Sequence, residues 1–267
     1  MVILSGLGKL DRQRISAILR GTKHTISSTE AAQILGISKQ RASQLLARWA
    51  IKGWIARVKH GLYILVPLES ETADIALEEP WVVAEKLYHP CYVGGWSAAE
   101  HWGLTEQIFR TIVVFTSLKL KEHSPLIRGA NFLLHTTPHR SMFGLKTLWR
   151  GQVKVLVSDP SRTILDLLTN PLFGGGIRNV QDMLVNYLQS EFKNLVLLVT
   201  YAKRLNNGAI FKRLGFLLEQ NAPLEKETIE ICQQNLTKGK VKLDPQLKAD
   251  KLVTRWRLWV PKGWKNK

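Results

Sequence analysis

Residues 28–54 read STEAAQILGISKQRASQLLARWAIKGW, and the fold of the amino-terminal part follows from how this stretch is punctuated. Ser27 stands three residues before Glu30, the spacing at which a hydroxyl and a carboxylate each satisfy an otherwise free amide at a helix start. The helix that begins there runs through Ala31, Ala32, Ile34 and Leu35 and meets Gly36, which can take the left-handed conformation of a sharp helix end. Ser38 is placed to cap a second helix.

In that second helix Ala42, Leu45, Leu46 and Trp49 fall at i, i+3, i+4 and i+7, which predicts one apolar stripe turned to a core. Gln40, Ser43, Gln44 and Ala47 take the other face. Two helices joined by a short turn containing glycine, the second opening with polar SKQRASQ, meet the requirements of a helix-turn-helix. Lys39 and Arg41 sit in its first turn, where a recognition helix approaches base edges and phosphates. Gln40, Ser43 and Gln44 can donate or accept at those edges, and glutamine can make a two-bond contact to adenine. Downstream, GWIARVKHGLYIL predicts a hairpin with strands at 54–59 and 62–66 and a turn at His60-Gly61. Such a wing would carry Arg57, Lys59 and His60 to a groove or backbone, with Arg48 beside them. The upstream LDRQRISAILRG supplies the first helix of a three-helix core. The alternative, a small helical domain with a solvated basic face, leaves the capping signals, the wing and the local charge as coincidences.

Charge points the same way. The 267-residue chain carries 38 Lys and Arg against 21 Asp and Glu, a formal net charge of +17, which calls for an anionic partner such as nucleic acid. From Met1 to Val66 there are 11 basic residues against Asp11 and Glu30 alone. Two cysteines, Cys91 and Cys232, are too few for a disulfide framework and fit a reducing, cytoplasmic setting. The longest apolar run, near NLVLLVTYA, falls short of the roughly 20 residues of a membrane helix, so no membrane partner is expected.

Between Pro67 and Pro80 the sign of the charge reverses: five acids (Glu69, Glu71, Asp74, Glu78, Glu79) and no base lie between the two prolines. This reads as a boundary, with a winged helix-turn-helix domain over 1–67, an acidic linker over 68–79 and a larger domain over 80–267. In the larger domain, RTIVVFTS, NFLLHTT and GQVKVLVSD read as strands. Asp159-Pro160 marks a helix start, and helical patterns continue to about Gln234. The fold class expected is α+β: a winged helix followed by a mixed α/β domain with a helical block.

Catalytic and metal chemistry find little support. Ser97 and His101 lie four apart, but Ser97 and Glu100 also match a capping box, and no third catalytic residue accompanies them. His135 and His139 in HTTPHR are read as a surface loop, because the proline between them disfavours a helix that would align them on zinc. FGGGIRN lacks the spacing and the lysine of a phosphate-binding loop and reads as a connection between helices. Asp159 and Asp166 lack the remaining ligands of a nuclease, and Asp159 looks like a cap. No cofactor, metal or enzyme activity is expected. The tail from Lys238, with ten basic and two acidic residues and Trp256, Trp259 and Trp264, could clamp nucleic acid by charge and stacking. The reading preferred is that VTRWRLWV is a strand with Trp256 and Leu258 on its buried face.

With these residues in view, the chain resembles the AbiEi family of antitoxins from bacterial abortive-infection (phage defence) and type IV toxin–antitoxin systems. The resemblance rests on TEAAQILGISKQRASQLLARWAIKGWIARVKHGLYILVP, on YVGGWSAAEHWGLTEQIFRTIVVFT, on VLVSDPSRTILDLLTNPLFGGGI and on LVTRWRLWVP. It implies a repressor of its own operon that binds inverted repeats in promoter DNA, as two copies per operator, and whose carboxy-terminal domain counteracts a nucleotidyltransferase toxin. Only the recognition-helix and wing positions are carried over: Lys39, Gln40, Arg41, Ser43, Gln44, Arg48, Arg57, Lys59 and His60. The alternative is a standalone ligand-responsive transcriptional regulator.

Overall fold

The first helix, α1 (Lys9–Gly21), opens with Asp11 in its first turn and ends with Arg20 in its last, the polarity that a helix dipole favours. Ile15 and Ile18 form its buried face. A computed structural model describes residue 6 and residues 8–22, 25–66, 79–150 and 153–264 of the chain. The acidic stretch 67–78, which carries the expected linker, lies outside the described residues.

The second helix, α2 (Ser28–Leu35), starts at a complete capping box: the Glu30 amide donates to Ser27 Oγ at 3.2 Å, and the Ser27 amide donates to Glu30 Oε2 at 2.9 Å. It ends at Gly36, whose φ of 62° is left-handed, and the Ile37 amide returns to the Ala32 carbonyl. This closure leaves few helix-end groups unsatisfied and turns the chain sharply. The third helix, α3 (Lys39–Ile51), is capped by Ser38, whose hydroxyl accepts from the Arg41 amide at 3.3 Å. Ala42, Leu45, Leu46 and Trp49 are its buried residues. They pack with Ile15, Ile18, Ile26, Ala31, Trp54, Ile55 and Tyr63 in one core. Each large side chain removed from water there contributes roughly 1.5–3 kcal/mol.

Strand β1 (Ile26–Ser27) is too short to show a pattern in the sequence. It pairs with β3 (Leu62–Leu65), which pairs in turn with β2 (Ile55–Lys59), so the wing is a three-stranded antiparallel sheet of order β1-β3-β2. The extra strand is the residue pair that also caps α2, and the Ser28 amide donates to the Gly61 carbonyl at 3.1 Å. The wing turn is therefore fastened to the start of the helix-turn-helix. This part of the chain is a winged helix.

Helix α4 (Pro80–Tyr88) and strand β4 (Cys91–Val93) follow, then α5 (Gly95–His101), β5 (Thr111–Thr116), β6 (Leu126–Ile127), β7 (Ala130–Thr136), β8 (Leu145–Arg150) and β9 (Val153–Ser158). The six strands β4 to β9 form one sheet of order β6-β7-β5-β4-β9-β8, antiparallel between β4 and β5 and parallel between β4 and β9. The helical block comprises α6 (Pro160–Thr169), α7 (Ile177–Gln189), α8 (Leu195–Leu205), α9 (Gly208–Asn221) and α10 (Lys226–Gln234). It ends in a small sheet of β10 (Val241–Lys242), β11 (Ala249–Val253) and β12 (Leu258–Pro261), in the order β10-β12-β11. The chain divides into two compact units, 1–89 with 122–132 and 148–155, and 90–121 with 133–147 and 156–267.

Three local readings need correction. Ser97 does not cap a helix: it lies inside α5 and is buried, and its hydroxyl accepts from the Val113 amide at 3.0 Å. The helix starts instead at the Gly94-Gly95 pair, because Gly95 needs a φ of 56° and a Cβ there would stand 2.7 Å from the Phe173 carbonyl. His135 is in strand β7, packed against the rings of Phe115 and Phe173, and is not in a loop. In the tail Trp256 and Leu258 are indeed buried, but Thr254–Trp256 is a 3-10 turn ended by Arg257 at φ 52°, so β12 begins only at Leu258. Burial of Trp256 against Gly215, and its indole bond to Glu219, shape this turn more than strand alternation does.

Candidate nucleic-acid interface

The site is built from the outer side of α3 and from the wing. Because the core takes positions 42, 45, 46 and 49, the 3.6-residue period turns 40, 41, 44 and 48 to the other side. Lys39, Gln40, Arg41, Gln44 and Arg48 are exposed, and Ser43 is half-buried. Arg41, Gln44 and Arg48 stand at i, i+3 and i+7 and form a stripe, with Gln40 one turn before Gln44. The helix amino terminus is held by Ser38, so the first-turn side chains leave from fixed backbone.

On the wing, Arg57, Lys59 and His60 are exposed as well. The register of β2 and β3 slips between Arg57 and Lys59, a bulge that re-aims side chains at a strand end, and Gly61 supplies the positive φ of the turn. Arg57 Nη2 donates to Tyr63 Oη at 3.3 Å, with the guanidinium 5.7 Å from that ring. Lys59 Nζ lies 5.7 Å from the Tyr88 ring centroid. The structure thus brings the helix and wing candidates onto the winged helix as solvent-facing groups. Arg48 differs from the rest, since its Nη2 lies 3.4 Å from Asp11 Oδ1 and its charge is shared with that carboxylate.

Residues 13–66 match the family of transcriptional regulators described as AbiEi antitoxin. The segment runs from within α1 to the residue after β3, so the AbiEi match covers the helix-turn-helix and the wing. No curated protein sequence matches the chain. Among solved structures, the crystal structure of the RV2827C protein from Mycobacterium tuberculosis is similar with a TM-score of 0.63 at 12% identity, over 96% of this chain and 92% of that one. At that identity the likeness shows a shared fold. It extends well beyond the AbiEi segment.

Elsewhere the chemistry-bearing residues are committed to structure. Arg162, 2% exposed, donates from Nε to Asp166, from Nη1 to the Ser141 and Phe143 carbonyls and from Nη2 to Tyr92 Oη. Burial pushes the Asp166 carboxyl above the usual carboxylate range against the pull of Arg162. Burial also opposes the Arg162 charge, but Asp166 and Tyr92 overcome it and its pKa stands above the ordinary value. Asp159 caps α6 by accepting from the Arg162 amide at 2.8 Å, and its other oxygen accepts from Tyr201. In the glycine-rich 173–179 stretch the first amide of α7, that of Ile177, donates to Asp244 Oδ2 at 2.9 Å. A carboxylate of the chain itself occupies the seat a phosphate would take. An open cleft of about 460 Å³ is lined by Glu85, Lys86, His89, Trp149, Val153 and Lys154. Its charged groups are engaged, Lys86 with Glu30, His89 with Glu85 and Lys154 with the Trp149 ring. Among the described residues there is no group of three or more His, Cys, Asp or Glu that could hold a metal ion, and no helix long and apolar enough to cross a membrane.

Proposed function

We propose that the chain is an AbiEi-type antitoxin that binds promoter duplex DNA through its winged helix, represses its own operon and counteracts a nucleotidyltransferase toxin through the part that follows the acidic linker. The observation that carries the DNA reading is the exposed Lys39-Gln40-Arg41-Gln44 end of a capped helix within the AbiEi segment. In this reading Lys39, Gln40, Arg41, Ser43 and Gln44 enter the major groove, while Arg48, Arg57, Lys59 and His60 hold backbone or minor groove. A recognition helix docked by its amino-terminal residues makes base contacts from Gln40 and Gln44 and phosphate contacts from the cations. Inverted repeats would be met by two copies of the chain, one per half-site.

The test is a salt titration of binding to the DNA upstream of the chain's own reading frame. Each phosphate-neutralising cation contributes roughly 0.9 to the slope of log affinity against log salt. Arg41→Ala and Lys59→Ala should each lower the slope by about that amount, whereas Gln44→Ala should leave the slope and relax base discrimination by about 1–3 kcal/mol. Unchanged affinity and slope in both cation variants would sink the DNA assignment. For the second activity, the full-length chain carrying Arg41→Ala and Lys59→Ala should lose repression yet still rescue cells expressing the adjacent toxin. A variant that loses both would show that neutralisation runs through DNA binding.

A further inference from the structure

We infer that a small cavity inside the second compact unit is a binding site for an uncharged amide of a few non-hydrogen atoms, whose N–H is accepted by Asp166. The cavity measures about 120 Å³, somewhat less than the roughly 150 Å³ apolar cavity that accepts benzene. Strands β5 and β7 supply Phe115 and His135 to its wall, helix α6 supplies Arg162 and Asp166, and Leu205 and Asn207 come from the place where α8 gives way to α9. All six belong to that unit. The rings of Phe115 and His135 pack with their centroids 5.4 Å apart, and Arg162 and Asp166, at i and i+4, share one face of their helix.

The buried Arg162–Asp166 pair leaves one oxygen over. Asp166, 3% exposed, accepts from Arg162 Nε and from Tyr92 Oη through Oδ1 alone, and its Oδ2 has no hydrogen-bond partner. A buried carboxylate oxygen without a donor is unfavourable, and burial here raises the Asp166 pKa against the pull of Arg162. On one side Oδ2 has Gly94 as its neighbour. A Cβ there would stand 3.0 Å away, but glycine has no side chain to offer and its amide already donates to the Val113 carbonyl. The cavity is then the side from which a donor can come. Donor capacity also remains around it. Arg162 has five N–H groups, four of them bonded, to Asp166, to Tyr92 and to the Ser141 and Phe143 carbonyls. Asn207 uses its Oδ1 to accept from the Ala209 amide, which leaves its amide nitrogen as a donor. An orphan acceptor beside unused donors matches a molecule that carries an N–H next to a carbonyl. Charge selects among such molecules: the ionised pair sums to zero, so a cation would leave a net buried positive charge and an anion would face the carboxylate. A neutral amide brings neither.

The experiment uses the full-length chain, isotope-labelled at its aspartate carboxyls for NMR, and titrates it with acetamide and, at the same concentrations, with acetate and methylammonium. Acetamide should shift the Asp166 carboxyl signal in a saturable way, in the millimolar range of so small a ligand, and should leave the Asp11 and Asp250 signals in place. It should also raise the melting temperature, as any ligand of the native state does. The two ions should do neither. Leu205→Trp, which fills the cavity from the end of α8, should abolish the response. Asn207→Asp keeps an oxygen to cap α9 and removes the amide donor, so it should weaken acetamide several-fold, and it serves if the tryptophan variant does not fold. No shift by acetamide at concentrations the fold withstands means a cavity that holds water only and overturns the inference. A response to acetate or methylammonium in place of acetamide overturns the ligand class, and one that survives both variants overturns the location. None of these outcomes touches the DNA-binding reading, which rests on the winged helix.

Discussion

The indole Nε1 of Trp49 donates to Oδ1 of Asp11 at 3.1 Å, joining a fully buried side chain of α3 to the first turn of α1. Trp49 is fully buried, so its one polar atom requires a partner inside the fold. The same carboxylate holds Arg48. Asp11→Ala should therefore destabilise the protein by about 1–3 kcal/mol, the cost of orphaning a buried donor, measured by urea denaturation. It should also release Arg48, so the variant, once folded, should bind duplex DNA with a salt slope no smaller than the wild type. Asp11→Asn, whose side-chain oxygen can still accept from the indole, should recover most of the stability.

Glu30 uses one oxygen for the Ser27 amide and the other for Lys86 Nζ. Burial opposes its ionisation, but the bonds from Lys86 and Ser27 prevail and hold its pKa below the ordinary value of 4.5. A carboxylate with a depressed folded-state pKa adds stability that is present above its unfolded value and is lost as pH falls through the folded one. Glu30→Gln keeps the capping geometry and removes the charge. The wild type should exceed it by about 1 kcal/mol or less at pH 7, given partial exposure. That difference should begin to close below about pH 4.5 and vanish once Glu30 is protonated. Thermal melts of both proteins between pH 3 and 7 decide it, and a constant difference would refute the assignment.

What the sequence disclosed is what local physics dictates. The Ser27–Glu30 box, the Gly36 stop and the Ser38 cap each involve residues within four positions, and all three form as expected. The faces of α3 follow from a single helical period, which is why the solvent-facing positions of the candidate site were legible. Contacts between distant residues were not. Nothing near Asp11 signals that Trp49 lies against it, and the local spacing around Ser97 does not show that its partner, the Val113 amide, comes from the next strand. Ile26 and Ser27 are too few to show alternation, so β1 exists only through its pairing with β3.

The buried Arg162–Asp166 pair sets a stronger test of the helical block. Helix α6 is buried from Pro160 to Leu168, so a charge within it must be matched internally, and Arg162 and Asp166 stand at i and i+4 with 2.9 Å between Nε and Oδ1. Removing one partner leaves the other charge stranded, which typically costs about 3–5 kcal/mol, whereas replacing both by apolar residues of similar volume is often neutral. Arg162→Met should be strongly destabilised and Arg162→Met with Asp166→Leu much less so. The pH response separates this from a packing defect. With Arg162 gone, burial raises the Asp166 pKa unopposed by the guanidinium. A group whose folded-state pKa is raised adds stability below its unfolded value and loses it as pH rises through the folded one. Arg162→Met should therefore gain on the double variant as pH falls from 7 towards 4. Denaturant midpoints of both proteins across that range supply the measurement, and parallel curves would show that Asp166 is not the stranded charge.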